Sequence, residues 1–407
     1  MNILKRAYCR IYQGIFKLLI PVLPYREPKI LKTDEDVVGV LKENKISRVL
    51  LITDRGIRGL NLTKSLEDVI KENKIGLFVF DETVPNPTTK TVDAALKMYK
   101  ENDCQGLIAF GGGSCIDCAK GVGALLARPN KTLAQMKGVL KVRKKLPLLI
   151  AVPTTAGTGS ETTLAAVIVD SETRHKYAIN DFPLIPKYAL LKPEVTVGLP
   201  KHITATTGMD ALTHAVEAYI GRSSTNQTRK CSLSAIKAIF ENLPEAYNNG
   251  KNIQAREKLL KAAYDAGLAF TKSYVGYVHA IAHALGGKYN VPHGLANAVI
   301  LPYVLKSYNK KIHKKLWEIG LYAKLFDKTV SKADGAKLFI EKIEDMNKKL
   351  NIPTTIEEIK QEDIEGLAKT ADKEAKPLYP VPVLMTAKEI EKIFYQVAGL
   401  YEFETDK

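Results

Sequence analysis

The amino-terminal half of the chain repeats one pattern, in which a short and continuous apolar run precedes an amphipathic segment. The apolar runs lie at 48–54, 76–81, 106–110 and 148–152. Helical periodicity occurs between them, at 62–72, 92–102 and 116–127. Continuous apolar runs are typical of strands covered on both faces, and repeated strand–helix–strand units build a parallel sheet. This half is therefore predicted to form a doubly wound α/β domain with ligands at the carboxyl ends of its strands.

The carboxyl-terminal half shows no strand pattern beyond about Pro200. Helical patterns follow one another there, at 205–220, 226–241, 254–270 and 276–287, and then in Lys/Glu-rich segments to the end. A chain of 407 residues is also too long for one small core. We therefore predict an amphipathic extension at 1–24, an α/β domain at 25–200 and an all-helical domain at 201–407.

The first 24 residues combine helical spacing with positive charge. Apolar residues recur at Leu4, Tyr8, Ile11, Ile15 and Leu18, and four basic residues interrupt them. The uncharged stretches are too short to span a bilayer, and no signal-peptide cleavage site follows. Contact with a membrane surface is one interpretation. The favoured one is a helix packed on its own domain or on a partner subunit.

The net charge of +16 raises the question of nucleic-acid binding. The Lys and Arg residues are scattered, often beside Glu, and no zinc-finger spacing or RNA-binding motif accompanies them, so a solvated basic surface is expected instead. Five cysteines, with Cys115 and Cys118 at the start of a helix, do not indicate a disulfide framework. Reduced thiols and a cytoplasmic location are expected.

Two loops at strand ends are suited to phosphate binding. The sequence G-G-G-S at 111–114 lies between a strand and a helix, where glycines allow close backbone approach and the helix supplies free N–H groups. Small hydroxyl residues from Thr154 to Ser160 follow the next strand, which favours a dinucleotide over a single phosphate. Asp54, at the end of an early strand, suits ribose hydroxyls and would repel a 2′-phosphate. Its alternative role is a helix cap or turn.

The segment 276–294 holds three of the seven histidines. His279 and His283 share one helical face. Gly286 and Gly287 are expected to end this helix and to leave His293 on a turn.

A second pair, Asp210 and His214, lies four residues apart on an earlier helix. The five side chains of the two segments are candidate metal ligands. A carboxylate with imidazoles and no thiolate suits a borderline divalent ion such as Fe(II) or Zn(II). By spacing alone, His279 and His283 would be the chelating pair.

Four motifs occur in this order: G-G-G-S-x-x-D (111–117), P-T-T-A-G-T-G-S-E (153–161), G-M-D-A-L-T-H-A-x-E (208–217) and H-A-x-A-H-x-L-G…P-H-G (279–294). Together they resemble the iron-dependent (group III) alcohol dehydrogenases, which include lactaldehyde and butanol dehydrogenases, over roughly residues 30–400. The resemblance implies a dinucleotide-binding α/β domain with a parallel sheet and an all-α metal-binding domain, the fold shared with dehydroquinate synthase. It also implies an NAD(P)-linked oxidoreductase that interconverts a small primary alcohol and its aldehyde. A homodimer is expected.

The resemblance also assigns individual residues. The ligands of Fe(II), or of Zn(II) as the alternative, would be Asp210, His214, His279 and His293. His283 would stay unmetallated and act as the catalytic proton acceptor. The cofactor would contact Asp54, Asn86, Gly112, Gly113, Ser114, Asp117, Thr154, Thr155, Thr158, Thr163 and Lys176. The charge of Asp54 predicts NAD(H) in preference to NADP(H). Lys192 and Lys272 depart from the family pattern, at places where Asp and Asn are usual.

Two rival functions are considered. A dehydroquinate synthase-like or glycerol dehydrogenase-like enzyme would share the NAD and the metal. The first of these would need a cluster of basic residues for a phosphate, and no such spacing occurs in the helical half. A non-catalytic protein of the membrane surface, or a scaffold, would not need to keep five polar candidate ligands.

Overall fold

The computed structural model describes residues 3–400, and the chain forms two compact units. The α/β unit is Pro24–Gly198. The helical unit combines the residues up to Leu23 with the residues from Leu199 onward. The amino-terminal segment, predicted as an extension, belongs to the helical unit and forms helix α1 at Ile3–Leu19.

The α/β unit alternates strands and helices along most of its length. Its strands are β1 (Lys29–Leu31), β2 (Arg48–Ile52), β3 (Gly76–Phe80), β4 (Gly106–Gly111), β5 (Gly138–Val139), β6 (Leu148–Pro153), β7 (Ala165–Val169), β8 (Lys176–Asn180) and β9 (Tyr188–Leu190). Its helices are α2 (Asp34–Glu43), α3 (Arg55–Gly59), α4 (Lys64–Glu72), α5 (Thr89–Glu101) and α6 (Gly113–Ala127).

Six of these strands form a parallel sheet in the order β1-β9-β6-β4-β2-β3. Successive residues of its central strands enter different cores: Leu107 and Leu149 pack on one face, and Ile108 and Ile150 pack on the other. Burial on both faces explains why these strands are continuous apolar runs in the sequence. The predicted parallel α/β fold is confirmed.

A second, three-stranded sheet has the order β5-β8-β7, with β7 antiparallel to β8. It was not predicted. Its strands have two to five residues, and β8 is buried only at alternate positions. Such short and half-polar segments resemble loops in the sequence.

The helical unit contains no strand among its described residues. After α1 its helices are α7 (Lys201–Ile220), α8 (Asn226–Asn248), α9 (Ile253–Ser273), α10 (Tyr277–Tyr289), α11 (His293–Tyr308), α12 (His313–Tyr322), α13 (Lys332–Lys349), α14 (Ile364–Ala375) and α15 (Ala387–Val397). Among residues 3–400, none of the helices combines the length and the apolar character needed to cross a bilayer.

Two predictions around α10 were wrong. The helix does not end at Gly286 and Gly287 but continues to Tyr289, where Asn290 takes the left-handed conformation with φ 57°. Glycine inside a helix costs only about 1 kcal/mol relative to alanine, so two glycines do not by themselves end a helix, and Asn290 supplies the left-handed residue that does. His293 is not on a turn, since it is the first residue of α11 and follows Pro292 at the N-cap. The φ of proline is compatible with such a helix start.

Candidate metal centre

Helix α7 supplies two of the candidate ligands from its buried interior. All residues from Gly208 to Ile220 are buried, so this stretch is covered on every side. Asp210, His214 and Glu217 are spaced i, i+4 and i+7 and therefore share one face. Because a polar group inside such packing is costly without a partner, this face requires partners on neighbouring helices.

Helices α10 and α11 supply the other two ligands. His279 is buried in the first turn of α10, and His293 begins α11 with 39% of its side chain exposed. A Cβ on Gly294 would lie 2.5 Å from the carbonyl oxygen of Thr206, so glycine lets the start of α11 approach the backbone of α7. One ligand atom each of Asp210, His214, His279 and His293 lies within 4.8 Å of the others.

Glu217 connects α7 to the start of α10. Its carboxylate accepts hydrogen bonds from the backbone N–H groups of Gly276 and Val278, both at 2.8 Å, and lies 2.7 Å from Nδ1 of His279. A Cβ on Gly276 would come within 2.6 Å of Glu217 Oε1, so only glycine fits there. Burial raises the pKa of Glu217 to about 7. Glu217 was not predicted as a site residue, although it ends the motif at 208–217.

The protonation of His279 follows from these neighbours. Burial lowers its pKa well below the usual value, and the nearby imidazoles of His214, His293 and His283 lower it further. The ring is therefore neutral, and the contact with Glu217 assigns its proton to Nδ1. The lone pair of Nε2 then faces Asp210 Oδ1 at 4.0 Å, as a metal ligand requires.

Asn297 lies where the ligand atoms converge. Its fully buried Nδ2 is 2.6 Å from Asp210 Oδ1, 3.2 Å from His279 Nε2 and 3.1 Å from His293 Nε2. Its Oδ1 has no hydrogen-bond partner among the described residues. The amide N–H groups of Asn297 therefore lie among three acceptor atoms that would also attract a cation. Asn297 was missed in the sequence, where it lies in an apolar helix like any core residue.

The donor set fits a divalent transition metal. One carboxylate and three imidazoles, with no thiolate, match the ligands that zinc and ferrous iron share. A ligand histidine whose other nitrogen is held by a buried carboxylate is the usual support of such a centre.

His283 lies beside the four-residue group. Its ring stacks on that of His293 with centroids 5.2 Å apart, and 43% of its side chain is exposed. Its Nδ1 is 2.6 Å from Oε1 of Glu374, which also accepts a hydrogen bond from the hydroxyl of Tyr379 at 2.7 Å. Neither partner was predicted, because Glu374 lies 91 residues from His283 in a Lys/Glu-rich helix of surface character.

The predicted cofactor residues form a cluster in the α/β unit. Asn86 connects two of them: its N–H donates to Ser114 Oγ at 3.3 Å, and its Oδ1 accepts from Lys176 Nζ at 2.7 Å. Gly112 and Gly113 begin α6, and Cβ atoms there would contact Thr155 and Thr158 of the second loop. Thr154 donates its N–H to the carbonyl of Gly111 at 3.1 Å. The structure thus brings both loops to the ends of β4 and β6.

Asp117 and Thr163 are engaged by the chain itself. Asp117 accepts hydrogen bonds from Ser160 Oγ at 2.8 Å and from the N–H of Val167 at 3.0 Å, and burial raises its pKa. Thr163 Oγ1 accepts from Lys120 Nζ at 2.8 Å. Both residues therefore hold the second loop, and their direct contact with a cofactor stays a prediction.

Lys120 is a buried cation beneath the second loop that was not predicted. Its ammonium group donates to the carbonyl oxygens of Ser160, Thr163 and Ala165 at 2.7–3.0 Å. Burial lowers its pKa to about 8. Nothing in its helical position, between Ala119 and Gly121, distinguishes it from an exposed lysine in the sequence.

Asp54 caps a helix, which is the role considered in the sequence as the alternative to a ribose contact. It is the N-cap of α3, and its Oδ1 accepts the N–H of Ile57 at 2.9 Å. Its other oxygen lies 3.6 Å from the thiol of Cys115. A ribose contact stays a prediction. Burial raises the pKa of the Cys118 thiol to about 12 and raises that of the Cys115 thiol as well, so neither thiol is activated for redox chemistry.

The two departures from the family pattern have partners within their own units. Lys192 forms an ion pair with Asp34 and donates to Ser65 Oγ at 3.1 Å. Lys272 donates to Gln227 Oε1 at 2.9 Å.

Fold and site together define a class of protein in which a parallel α/β unit is joined to a helical unit with an Asp–His₃ group. Two family models match this chain. Iron-containing alcohol dehydrogenase matches residues 33–193, and the carboxyl-terminal model of the Fe-containing alcohol dehydrogenase family matches residues 204–398.

Individual proteins are similar over most of their length. Alcohol dehydrogenase 4 of Saccharomyces cerevisiae is 37% identical over 373 residues, which cover 91% of this chain and 95% of that protein. The NAD-dependent methanol dehydrogenase of Bacillus methanolicus is 37% identical over 336 residues, covering 81% and 87%. The crystal structure of a 1,3-propanediol oxidoreductase matches with a TM-score of 0.87 at 33% identity, covering 92% and 98%. The chain belongs to the iron-containing alcohol dehydrogenase family, and the resemblance drawn from its motifs is confirmed.

Proposed function

We propose that this protein is a metal-dependent, NAD-linked oxidoreductase that interconverts a small primary alcohol and its aldehyde. The observation that supports this function best is the convergence of Asp210, His214, His279 and His293 in a family of iron-containing alcohol dehydrogenases. The relatives named above support the same reaction class. They give no support to the cyclase-like, glycerol dehydrogenase-like or non-catalytic alternatives.

The four residues would hold Fe(II), the ion for which the matched family is named, with Zn(II) as the alternative. Such an ion, when bound, supplies a Lewis acid that polarises the substrate oxygen. The nicotinamide supplies the site of hydride exchange. The chain would orient the ion through Glu217, which holds the ring of His279. It would orient the nicotinamide cofactor through the two loops of the α/β unit.

His283 is proposed to take the hydroxyl proton during oxidation and to return it during reduction. Its contact with Glu374 assigns the ring proton to Nδ1, which leaves Nε2 as the proton acceptor. The hydroxyl of Tyr379 donates to the same carboxylate oxygen and helps to hold it in place. Because 43% of the His283 side chain is exposed, the proton can exchange with solvent after each turnover.

NAD(H) is the proposed cofactor, in preference to NADP(H). The relative from Bacillus methanolicus is described as NAD-dependent. A carboxylate at Asp54 accepts hydrogen bonds from ribose hydroxyls and repels a 2′-phosphate. The methanol and propanediol enzymes among the similar proteins support a small primary alcohol as substrate.

A reducing, cytoplasmic setting and a homodimer complete the proposal. All five cysteines lie in the described part of the chain, and none forms a disulfide. Reduced thiols, of which Cys104 and Cys118 lie in one core of the α/β unit, are usual for proteins of the cytoplasm.

A reductase assay tests the proposed function. Purified protein, stripped of metal and reloaded separately with Fe(II) and Zn(II), is assayed against a panel of short aldehydes with NADH and with NADPH. We expect turnover of short aldehydes with NADH, and no turnover in the stripped protein. Equal activity in rigorously metal-free protein would contradict the proposal, as would inactivity of both loaded forms on every aldehyde.

A further inference from the structure

Helix α1 faces the helical unit with polar side chains. The guanidinium of Arg10 donates to the carbonyl oxygens of Val381 and Pro382 at 2.7 and 3.0 Å. The amide of Gln13, which is buried, donates to the carbonyl oxygen of Tyr379 at 2.7 Å. Two smaller apolar contacts accompany them, since Cys9 is buried and the ring of Phe16 packs edge-on against Tyr274 with centroids 5.0 Å apart. The inner face of α1 is thus held by both polar and apolar contacts, although a surface helix normally turns most of its apolar residues inward.

The apolar residues of α1 lie on its outer face instead. Tyr8, Ile11, Ile15 and Leu18 recur at helical spacing and are 54–79% exposed. Among residues 3–400, nine of the sixteen exposed large hydrophobic side chains fall between Ile3 and Val22. Apolar surface that is concentrated in this way marks an interaction site, whereas scattered single residues do not.

The surroundings of this face are positively charged. No Asp or Glu occurs before Glu27, whereas Lys5, Arg6 and Lys17 are exposed on α1, with Lys5 4.0 Å from Asp372 of the helical unit. The exposed Arg222 lies nearby: its backbone N–H donates to the carbonyl of Pro380 at 2.7 Å, next to the carbonyls that bind Arg10. Burial lowers the pKa of Arg10, and the charge of Arg222 lowers it as well.

Lys315 reports the same positive field. Burial lowers its pKa to about 8; the positive charges of Arg229, Lys17 and Arg222 lower it as well, and the carboxylate of Glu318 opposes them. Lys17 of α1 therefore shares one cationic region with residues of the helical unit.

We propose that the outer face of α1 binds the surface of a bilayer that contains anionic lipids. A helix of this length extends about 26 Å, and it can lie in the interface with its apolar side chains among the acyl chains and its cations at the headgroups. A second copy of the chain is a poorer partner. A two-fold contact through α1 would bring like charges together, since neither helix carries a carboxylate. Helix α1 also lies outside both segments that match the family models.

Vesicle flotation with the full-length protein tests the proposal. We expect the protein to float with vesicles of phosphatidylcholine and phosphatidylglycerol but not with phosphatidylcholine alone. Raising the salt from about 0.1 M to about 1 M shortens the Debye length from about 10 Å to about 3 Å and should release most of the protein. Absence of binding to the anionic vesicles would overturn the proposal, and so would equal binding to both kinds.

Two variants test whether vesicle binding depends on the apolar face of α1 or on exposed apolar side chains anywhere on the protein. Ile15→Glu changes a side chain that is 54% exposed on α1, and Val139→Glu changes one that is 50% exposed in the α/β unit. Loss of one buried apolar side chain predicts at least about a tenfold lower partition coefficient for Ile15→Glu. Val139→Glu should bind like the wild type.

Both variants should keep the wild-type circular dichroism and turnover, because neither residue belongs to the metal centre or the loops. Light scattering without vesicles tests the alternative, in which a second copy of the chain binds the outer face of α1. If Ile15→Glu splits an oligomer and leaves vesicle binding unchanged, the face is a contact between copies and the proposal is wrong.

Discussion

Glu217 supports the candidate metal centre although it is not one of the four converging ligands. It accepts two backbone N–H groups at the start of α10 and holds Nδ1 of His279. We predict that Glu217→Gln lowers metal affinity about 10- to 100-fold, because an amide cannot accept from all three donors. Competition with a chromogenic chelator measures the affinity. Glu318→Gln, which alters a carboxylate bonded to Tyr219 in the same unit, should leave it unchanged. Equal affinities in both variants would reduce Glu217 to a helix cap.

Asp54 has two separable roles, a cap and a proposed ribose contact. Asn caps a helix as well as Asp does, so Asp54→Asn should keep the stability of α3 while removing the charge. We predict that the ratio of kcat/KM for NADH over NADPH narrows about tenfold, since the repulsion of the 2′-phosphate is lost. Steady-state kinetics with both cofactors measure this ratio. An unchanged preference would show that Asp54 serves only as a cap.

At the scale of elements, helix α6 depends on the buried Lys120 to hold the second loop. Lys120→Met would remove the ammonium donor from three carbonyl oxygens and the positive charge that interacts with Asp117 and Glu161. We predict a loss of about 3–5 kcal/mol in the free energy of unfolding and weaker NADH binding. Urea denaturation and fluorescence titration measure the two effects.

Lys97→Met is the matched control for Lys120→Met. Lys97 lies on the neighbouring α5, and its one ion pair within residues 3–400 is an exposed contact with Glu101 at 3.7 Å. Exposed pairs of this kind contribute about 0.5 kcal/mol or less. If both variants lost similar stability, the hydrogen bonds of Lys120 would not account for the effect.

The elements that could be predicted are those in which the pattern of apolar and polar residues follows directly from burial. Strands β4 and β6 are buried on both faces and therefore appear as apolar runs, and α7 shows its two ligands at helical spacing. The small sheet could not be predicted because β7 and β8 are covered only at alternate positions. The end of α10 was misplaced because glycine lowers helix propensity without ending a helix, and Asn290 rather than a glycine takes the left-handed conformation there.

The site was predictable only where its residues are neighbours in the chain. Asp210 with His214, and His279 with His293, lie in compact motifs. Glu374 and Asn297 meet the histidines through tertiary folding, and neither residue type is unusual for its helix. Lys120 looks like any helical lysine. Roles that depend on burial and on partners distant in the chain cannot be predicted from the local pattern of one sequence.

At the scale of the whole molecule, a bound ion should couple the centre to the stability of the helical unit. An ion that binds only the folded chain contributes about 4 kcal/mol at a concentration 1,000 times its Kd. We predict that chelation lowers Tm and abolishes turnover, and that adding Fe(II) or Zn(II) restores both. Calorimetry of stripped and reloaded protein measures the shift. If the native ion is Fe(II), turnover should also decay in air and return with fresh Fe(II), whereas the Zn(II) form should be stable.

The central claim is that Asp210, His214, His279 and His293 hold the metal while His283 moves a proton beside it. Metal analysis and turnover of three purified variants test it together: His283→Ala, His293→Ala and the control His202→Ala, which alters an exposed histidine of α7. We predict that His283→Ala keeps its metal and loses about two to four orders of magnitude in turnover. His293→Ala should lose the metal, and His202→Ala should match the wild type. A metal-depleted His283→Ala beside a metal-replete His293→Ala would contradict the account.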